Sequence, residues 1–137
     1  MGGIKNMTEQ WTPKTLHLEI PLSFSSLHLQ LQFVGEDLSV LVYGGEHAHI
    51  GCTVLSIPRP SLTDSQKTSC TSSVLNVTGH KDEIICRYLS EVITCKYNRT
   101  TVCSGGFHCD NLNSEQIQEI VDAVKTSCID LFKEKGE

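Results

Sequence analysis

Three histidines lie in glycine-flanked segments, where a side chain can approach a ligand or a metal ion closely. His47 and His49 follow a Gly-Gly pair and precede a third glycine, and His108 follows another Gly-Gly pair, two residues before Asp110. If the next strand extends back to His47, residues two apart point to one side and the two imidazoles converge. With His108 or Asp110 they would supply three ligands for Zn²⁺ or a similar ion such as iron. The alternative is that these imidazoles are exposed or hydrogen-bond to loop backbone.

A second group of polar residues is suited to a phosphate monoester. Arg59 offers a planar cationic fork, and hydroxyl side chains follow it along the chain at Ser61, Ser69 and Thr71. His80 and Lys81 lie at the predicted start of a helix, where free N–H groups and the positive dipole end attract anions. The alternative is a set of ordinary turn serines beside a helix cap.

The composition predicts one globular domain. The chain has 137 residues, of which 39% are hydrophobic and 20% charged, with a formal net charge of −5. A length of this order permits a real core, and the lack of a basic cluster argues against nucleic-acid binding. No apolar run reaches the length of a membrane-spanning helix, and the polar N-terminus is not a signal peptide, so a cytoplasmic protein without membrane contact is expected. The seven cysteines form no Cys-x-x-Cys pair, which favours buried, reduced thiols.

The hydrophobic pattern in the first half of the chain predicts strands. Alternation over 16–20, 27–33 and 38–42 indicates an antiparallel meander with one polar face. A fourth strand is predicted from His49 to Pro58, with Ile50 among the residues of one face; because it is apolar on both sides, we expect it to be central in the sheet. Residues 58–70 are predicted to be a long functional loop, followed by a short strand through Val77.

Two helices are predicted in the second half. The first begins near Lys81 and ends near Tyr97, and the second is capped by Asn113 with Gln116 in a capping box. Between them lie a strand over 100–105 and a polar loop over 107–111. The order predicts a two-layer α+β domain at 14–137, after a disordered leader at 1–13: a mostly antiparallel sheet of about five or six strands with both helices on one face. The other face, which carries His and Gln side chains, is either wet or covered by a second copy, and a homo-oligomer is expected.

Five short motifs occur in an order that is typical of one family. They are Gly45-x-x-x-His49-Ile50-Gly51, Pro58-Arg59-Pro60-Ser61-Leu62, Thr68-Ser69-x-Thr71-x-Ser73-Val74-Leu75, Gly79-His80-Lys81-Asp82-Glu83 and Gly106-x-His108-x-Asp110-Asn111. Over residues 44 to about 132 the chain resembles the LpdD-like family, small proteins linked to gallate-type hydroxyarylic acid decarboxylases and described as prenylated-flavin chaperones.

The resemblance implies a protein that binds prenylated FMN, or FMN, and delivers it to a UbiD-type decarboxylase without turnover of its own. The positions it carries over as cofactor-binding are His49, Gly51, Arg59, Ser61, Ser69, Thr71, His80, Lys81, His108, Asp110 and Asn111. The phosphate is expected near Arg59, the hydroxyls and Lys81, with His49, His108 and Asp110 at the flavin ring or at a metal at its edge.

Two further expectations and two alternative functions accompany this interpretation. The glycines around His49 would give clearance for a flat ring, and a divalent metal would use His49 and His108, with His47 as a further candidate. One alternative function is a small Zn- or Fe-dependent enzyme that uses His49, His108 and Asp110. The other is a purely structural decarboxylase subunit.

Overall fold

The computed structural model describes residues 14–77 and 81–134 of the chain. Five strands come first: β1 (Lys14–Pro21), β2 (Ser26–Val34), β3 (Asp37–Gly45), β4 (Cys52–Pro60) and β5 (Thr68–Asn76). Helix α1 (Lys81–Tyr97), strand β6 (Thr101–His108) and helix α2 (Ser114–Glu134) follow. The predicted α+β architecture with a mostly antiparallel sheet is therefore confirmed. The predicted leader at 1–13 lies outside the described residues.

The last strand of the chain is inserted into the middle of the sheet. The strand order is β1-β2-β3-β6-β4-β5, so β6 separates β3 from β4. β6 runs parallel to β3 and antiparallel to β4, and the other neighbours are antiparallel. In this register β3 and β6 end, and β4 begins, at the same edge of the sheet.

One face of the sheet packs against the helices and forms the core. Alternate residues of β2 and β3 are buried there, as the period-two pattern predicted, together with Leu89 and Ile93 of α1 and Ile120 of α2. Phe107 of β6 is also fully buried, with the ring of Phe24 at a centroid distance of 6.1 Å. Each such apolar side chain contributes about 1.5–3 kcal/mol to folding. Among the described residues, no helix is long and apolar enough to cross a membrane.

The cysteines mostly belong to this core. Five are buried, Cys52, Cys86, Cys103, Cys109 and Cys128, and the other two, Cys70 and Cys95, are half-buried; all seven are free thiols. Burial raises the pKa of Cys52 to about 11 and that of Cys128 to about 12. These five thiols are small apolar side chains here, as the sequence indicated.

The opposite face of the sheet, which we call the open face, carries a different set of residues. On β4, Leu55 is 39% exposed and Ile57 is 51% exposed. β4 is an interior strand, as predicted from its apolar residues on both sides, but those on the open face are exposed. Ile50, predicted to share a face of this strand with Cys52 and Val54, precedes β4 and is 58% exposed, whereas Cys52 and Val54 are buried.

The predicted loop over 58–70 is shorter than expected, because strand residues occupy both of its ends and only 61–67 connect the two strands. β4 continues to Pro60 and β5 begins at Thr68, with Arg59 opposite Ser69 in the ladder. Proline is tolerated there because the pairing of β4 with β6 ends at Ser56, which makes the rest of β4 an edge on that side. The sequence suggested a loop because prolines and hydroxyl residues are enriched in loops.

Two further boundaries are the end of β6, which determines where His108 lies, and the start of α2. Phe107 and His108, predicted in a polar loop, are the last residues of β6 and pair with Gly44 and Gly45. The capping box of α2 is confirmed: the Gln116 N–H donates to Asn113 Oδ1 at 2.8 Å, and the Asn113 N–H donates to Gln116 Oε1 at 3.0 Å.

Candidate functional site

The three histidines of the sequence prediction meet at one edge of the sheet, which we call the histidine edge. His108 ends β6, whereas His47 and His49 lie between β3 and β4. The ring centroid of His108 is 6.0 Å from that of His47 and 6.3 Å from that of His49. Because β4 begins at Cys52 and not at His49, the convergence comes from the insertion of β6 and not from strand alternation.

Asp82, which is not among the site residues predicted from the sequence, anchors this edge. It lies in the first turn of α1 and is 3% exposed. Its Oδ1 accepts a hydrogen bond from the Phe107 N–H at 3.0 Å, and its Oδ2 lies 3.1 Å from His49 Nε2. A buried carboxylate requires such partners. Its position in the motif that begins at Gly79 was the sequence signal that could have identified it. Being acidic is no signal by itself, because acidic residues are common in the first turn of a helix.

Two glycines make room for the His49–Asp82 pair. A Cβ on Gly51 would collide with Asp82 Oδ2 and lie 3.0 Å from His49 Nε2. A Cβ on Gly106 would lie 2.8 Å from His49 Cε1. These glycines therefore accommodate the chain's own side chains, whereas the sequence pattern predicted clearance for a ligand ring.

The segment after β6 is tied to the same edge. His108 Nε2 lies 3.0 Å from Asp110 Oδ1, and the Asp110 N–H donates to Glu46 Oε1 at 3.1 Å. Asn111 is exposed and has a φ of 59°, a left-handed conformation that asparagine tolerates. Among residues 14–77 and 81–134, no three His, Cys, Asp or Glu side chains are arranged to hold a metal ion. His49 and His108, with His47 beside them, thus form no metal site of that kind, and His80 lies outside the described residues.

The predicted phosphate-binding residues gather at the other end of β4. Arg59 and Thr71 lie on the open face, where Arg59 Nε donates to Thr71 Oγ1 at 2.8 Å and Nη1 donates to the Pro60 carbonyl at 3.1 Å. Ser69 is opposite Arg59 in the ladder, and Ser61 follows β4 directly. The hairpin thus brings Arg59, Ser61, Ser69 and Thr71 together.

Arg59 differs from the other described arginines in its partners. Arg87 pairs with Glu83 and Glu91, and Arg99 pairs with Glu36. Within the described part of the chain, Arg59 forms no ion pair. Of the three guanidinium groups it is the one that no carboxylate of residues 14–77 and 81–134 neutralises, which suits an anionic ligand.

The two clusters are far apart. β4 has nine residues, so its ends are separated by roughly 26 Å. Helix α1 begins at the histidine edge, because Asp82 contacts His49, and Lys81 directly precedes Asp82. The backbone of Lys81 therefore lies with His49 and not with Arg59, and one phosphate group cannot contact both.

Comparison with known proteins identifies the family. The model of the prenylated flavin chaperone LpdD-like domain matches residues 24–135, which include all of β4 and both clusters. The chain therefore belongs to the LpdD-like prenylated flavin chaperone family.

A solved structure has the same fold. It comes from a chaperone complex for assembly of the yeast 20S proteasome, is 18% identical, and aligns over 89% of this chain and 96% of that chain with a TM-score of 0.55. At that identity the likeness shows the fold alone. No curated protein matches this chain.

Proposed function

We propose that this chain binds prenylated FMN, or FMN, and passes it to a UbiD-type decarboxylase without catalysing a reaction itself. Membership of a prenylated flavin chaperone family supports the class of cofactor. The observation that carries the proposal is Arg59, a guanidinium on the open face that has no ion pair in the described part of the chain and is oriented by Thr71.

The phosphate of the cofactor would bind at Arg59. A guanidinium has five N–H donors, of which Thr71 and the Pro60 carbonyl take one each. The remaining donors suit two phosphate oxygens, and the hydroxyls of Ser61, Ser69 and Thr71 supply further hydrogen bonds.

The exposed apolar side chains beside Arg59 suit the adjoining part of the cofactor. Ile57 and Leu55 lie two and four residues before Arg59, on the same open face of β4. A ring system lying on them would remove apolar surface from water. His49, His108, Asp110 and Asn111, the ring contacts that the resemblance implies, lie beyond the other end of β4. A flavin mononucleotide whose phosphate is bound at Arg59 would not reach them, because the ends of β4 are roughly 26 Å apart and the cofactor is shorter than that.

Arg59→Ala tests the phosphate contact. We expect FMN and prenylated FMN to bind roughly 10- to 100-fold more weakly, because hydrogen bonds to a charged group are lost. Quenching of flavin fluorescence measures the affinity. Arg99→Ala is the matched control, since Arg99 is partly exposed and paired with Glu36, and it should bind like the native protein. If Arg59→Ala also binds like the native protein, the phosphate assignment is wrong.

Delivery needs a separate measurement with a cofactor-free UbiD-type decarboxylase. We expect the loaded native protein to restore decarboxylase activity faster than an equal amount of free prenylated FMN does. Equal rates would contradict delivery while leaving cofactor binding intact. Co-purification with the decarboxylase without any flavin binding would instead support the structural-subunit alternative.

A further inference from the structure

A polar pocket of about 270 Å³ lies on the open face, away from Arg59 and from the histidine edge. The side chains that matter for its chemistry are Gln30 and Gln32 of β2, Ser39 and Leu41 of β3, and Ser104 of β6. We call it the glutamine pocket. None of the residues that line it carries a charge, so its walls favour a neutral ligand group with hydrogen-bonding edges.

The hydrogen-bonding groups of the glutamine pocket are partly oriented. Gln30 Nε2 donates to the Tyr43 hydroxyl at 3.2 Å, and Ser104 Oγ lies 3.0 Å from Thr53 Oγ1. The Tyr43 ring is itself stacked on His28, with centroids 5.1 Å apart and planes 9° apart. A carboxamide has both donors and acceptors. Two carboxamides beside the hydroxyls of Thr15, Ser39 and Ser104 match a flat group that alternates carbonyl and N–H, such as a cyclic imide.

The register of the sheet connects the glutamine pocket with β4. Ser39 pairs with Val102, and Val102 pairs with Leu55. Ser39 and Leu55 are two strand spacings apart, roughly 10 Å, and Leu55 to Arg59 is roughly 13 Å along β4. The open face therefore carries an L-shaped path from an uncharged polar pocket across apolar Val102 and Leu55 to a guanidinium.

This order of surfaces parallels the order of groups in a flavin mononucleotide. Its ring system has an imide at one end and hydrocarbon at the other, and a hydroxylated chain leads from its middle to a phosphate. We propose that the glutamine pocket binds the imide edge of the flavin ring, with the ring lying across β3, β6 and β4. This inference rests on the proposed flavin binding and deepens it, because it assigns ring recognition to the open face and not to the histidine edge.

Riboflavin, which lacks the phosphate, separates the two parts of the site. Gln32→Leu and Gln30→Leu remove amide contacts with the ring, so we expect each to weaken FMN and riboflavin equally, by roughly 3- to 10-fold. Arg59→Ala should weaken FMN while leaving riboflavin affinity unchanged. Gln118→Leu, on the exposed side of α2, is the matched control and should bind both flavins like the native protein. Circular dichroism checks that each variant is folded.

Each remaining outcome has one meaning. If the native protein binds none of FMN, prenylated FMN and riboflavin, the proposed function fails and this inference fails with it. If FMN binds and depends on Arg59, but both glutamine variants bind riboflavin like the native protein, the pocket assignment alone is overturned. A loss of riboflavin affinity in His49→Ala without a loss in the glutamine variants would likewise overturn it and assign the ring to the histidine edge.

Discussion

Asp82 joins three separate segments of the chain through one buried carboxylate. It belongs to α1, accepts the Phe107 N–H of β6 and contacts His49 in the segment before β4. A side chain at Gly51 would collide with Asp82, and one at Gly106 would lie too close to His49. The histidine edge is thus organised by the chain's own acid and imidazole groups.

Replacing Asp82 tests this role. Asp82→Ala removes a charged acceptor from a buried N–H, so we expect a loss of roughly 1.5–3 kcal/mol in the free energy of unfolding. Asp82→Asn keeps an oxygen acceptor for Phe107 and should lose less. The midpoint of urea unfolding measures the change. Asp122→Ala, on the exposed side of α2, should leave the midpoint nearly unchanged; an equal effect of Asp82→Ala and Asp122→Ala would contradict the role assigned to Asp82.

β4 shows how one element can serve two environments. From Cys52 to Ser56 it is paired on both sides, with β6 and β5, and beyond Ser56 it is paired with β5 alone. This change permits Pro58 and Pro60 and presents Arg59 at an edge of the sheet. The candidate phosphate contact therefore depends on β6 ending its pairing at Ser56.

The start of α2 gives a prediction at the level of a single helix. Asn113→Ala removes the acceptor that holds the Gln116 N–H, and loss of such a cap costs about 1 kcal/mol. Thermal unfolding followed by circular dichroism measures the loss as a lower midpoint temperature. Thr126→Ala, at an exposed position late in the same helix, is the control. No difference between these two variants would show that the capping box adds nothing to stability.

At the level of the whole molecule, the buried thiols predict that the fold weakens at alkaline pH. Burial raises the pKa of Cys52 to about 11 and of Cys128 to about 12 from an ordinary value of 9.0. Above about pH 9 the unfolded chain releases these protons while the folded chain keeps them, so stability falls as pH rises towards the folded-state values. Below about pH 9 both states are protonated and this contribution is complete.

Urea unfolding at about pH 8 and about pH 10.5 measures this effect. The midpoint of the native protein should fall between the two conditions, and Cys128→Ala should show a smaller fall because one of the titrating thiols is gone. An identical fall in both proteins would assign the effect to other groups.

The homo-oligomer expected from the sequence stays a prediction. A second copy on the open face would cover the glutamine pocket, so the two uses of that face exclude each other.

The sequence by itself determined the features that depend on neighbouring residues. Period-two alternation gave the meander of β1, β2 and β3, the helical stripes gave α1 and α2, and Asn113 and Gln116 gave the cap of α2, because each of these signals is local. The sequence also showed which side chains each candidate cluster contains: imidazoles in one, and a guanidinium with hydroxyls in the other. Pro58 and Pro60 misled because proline indicates a loop unless the strand happens to be an edge.

Only the tertiary structure decided which of these residues meet. The insertion of β6 between β3 and β4 brought His108 beside His49 and Asp82, and the direction of β4 carried Arg59 to the opposite end of the sheet, away from Lys81. Strand pairing between distant segments leaves no periodic signal in either segment, because alternation determines which face a residue occupies but not which strand lies beside it.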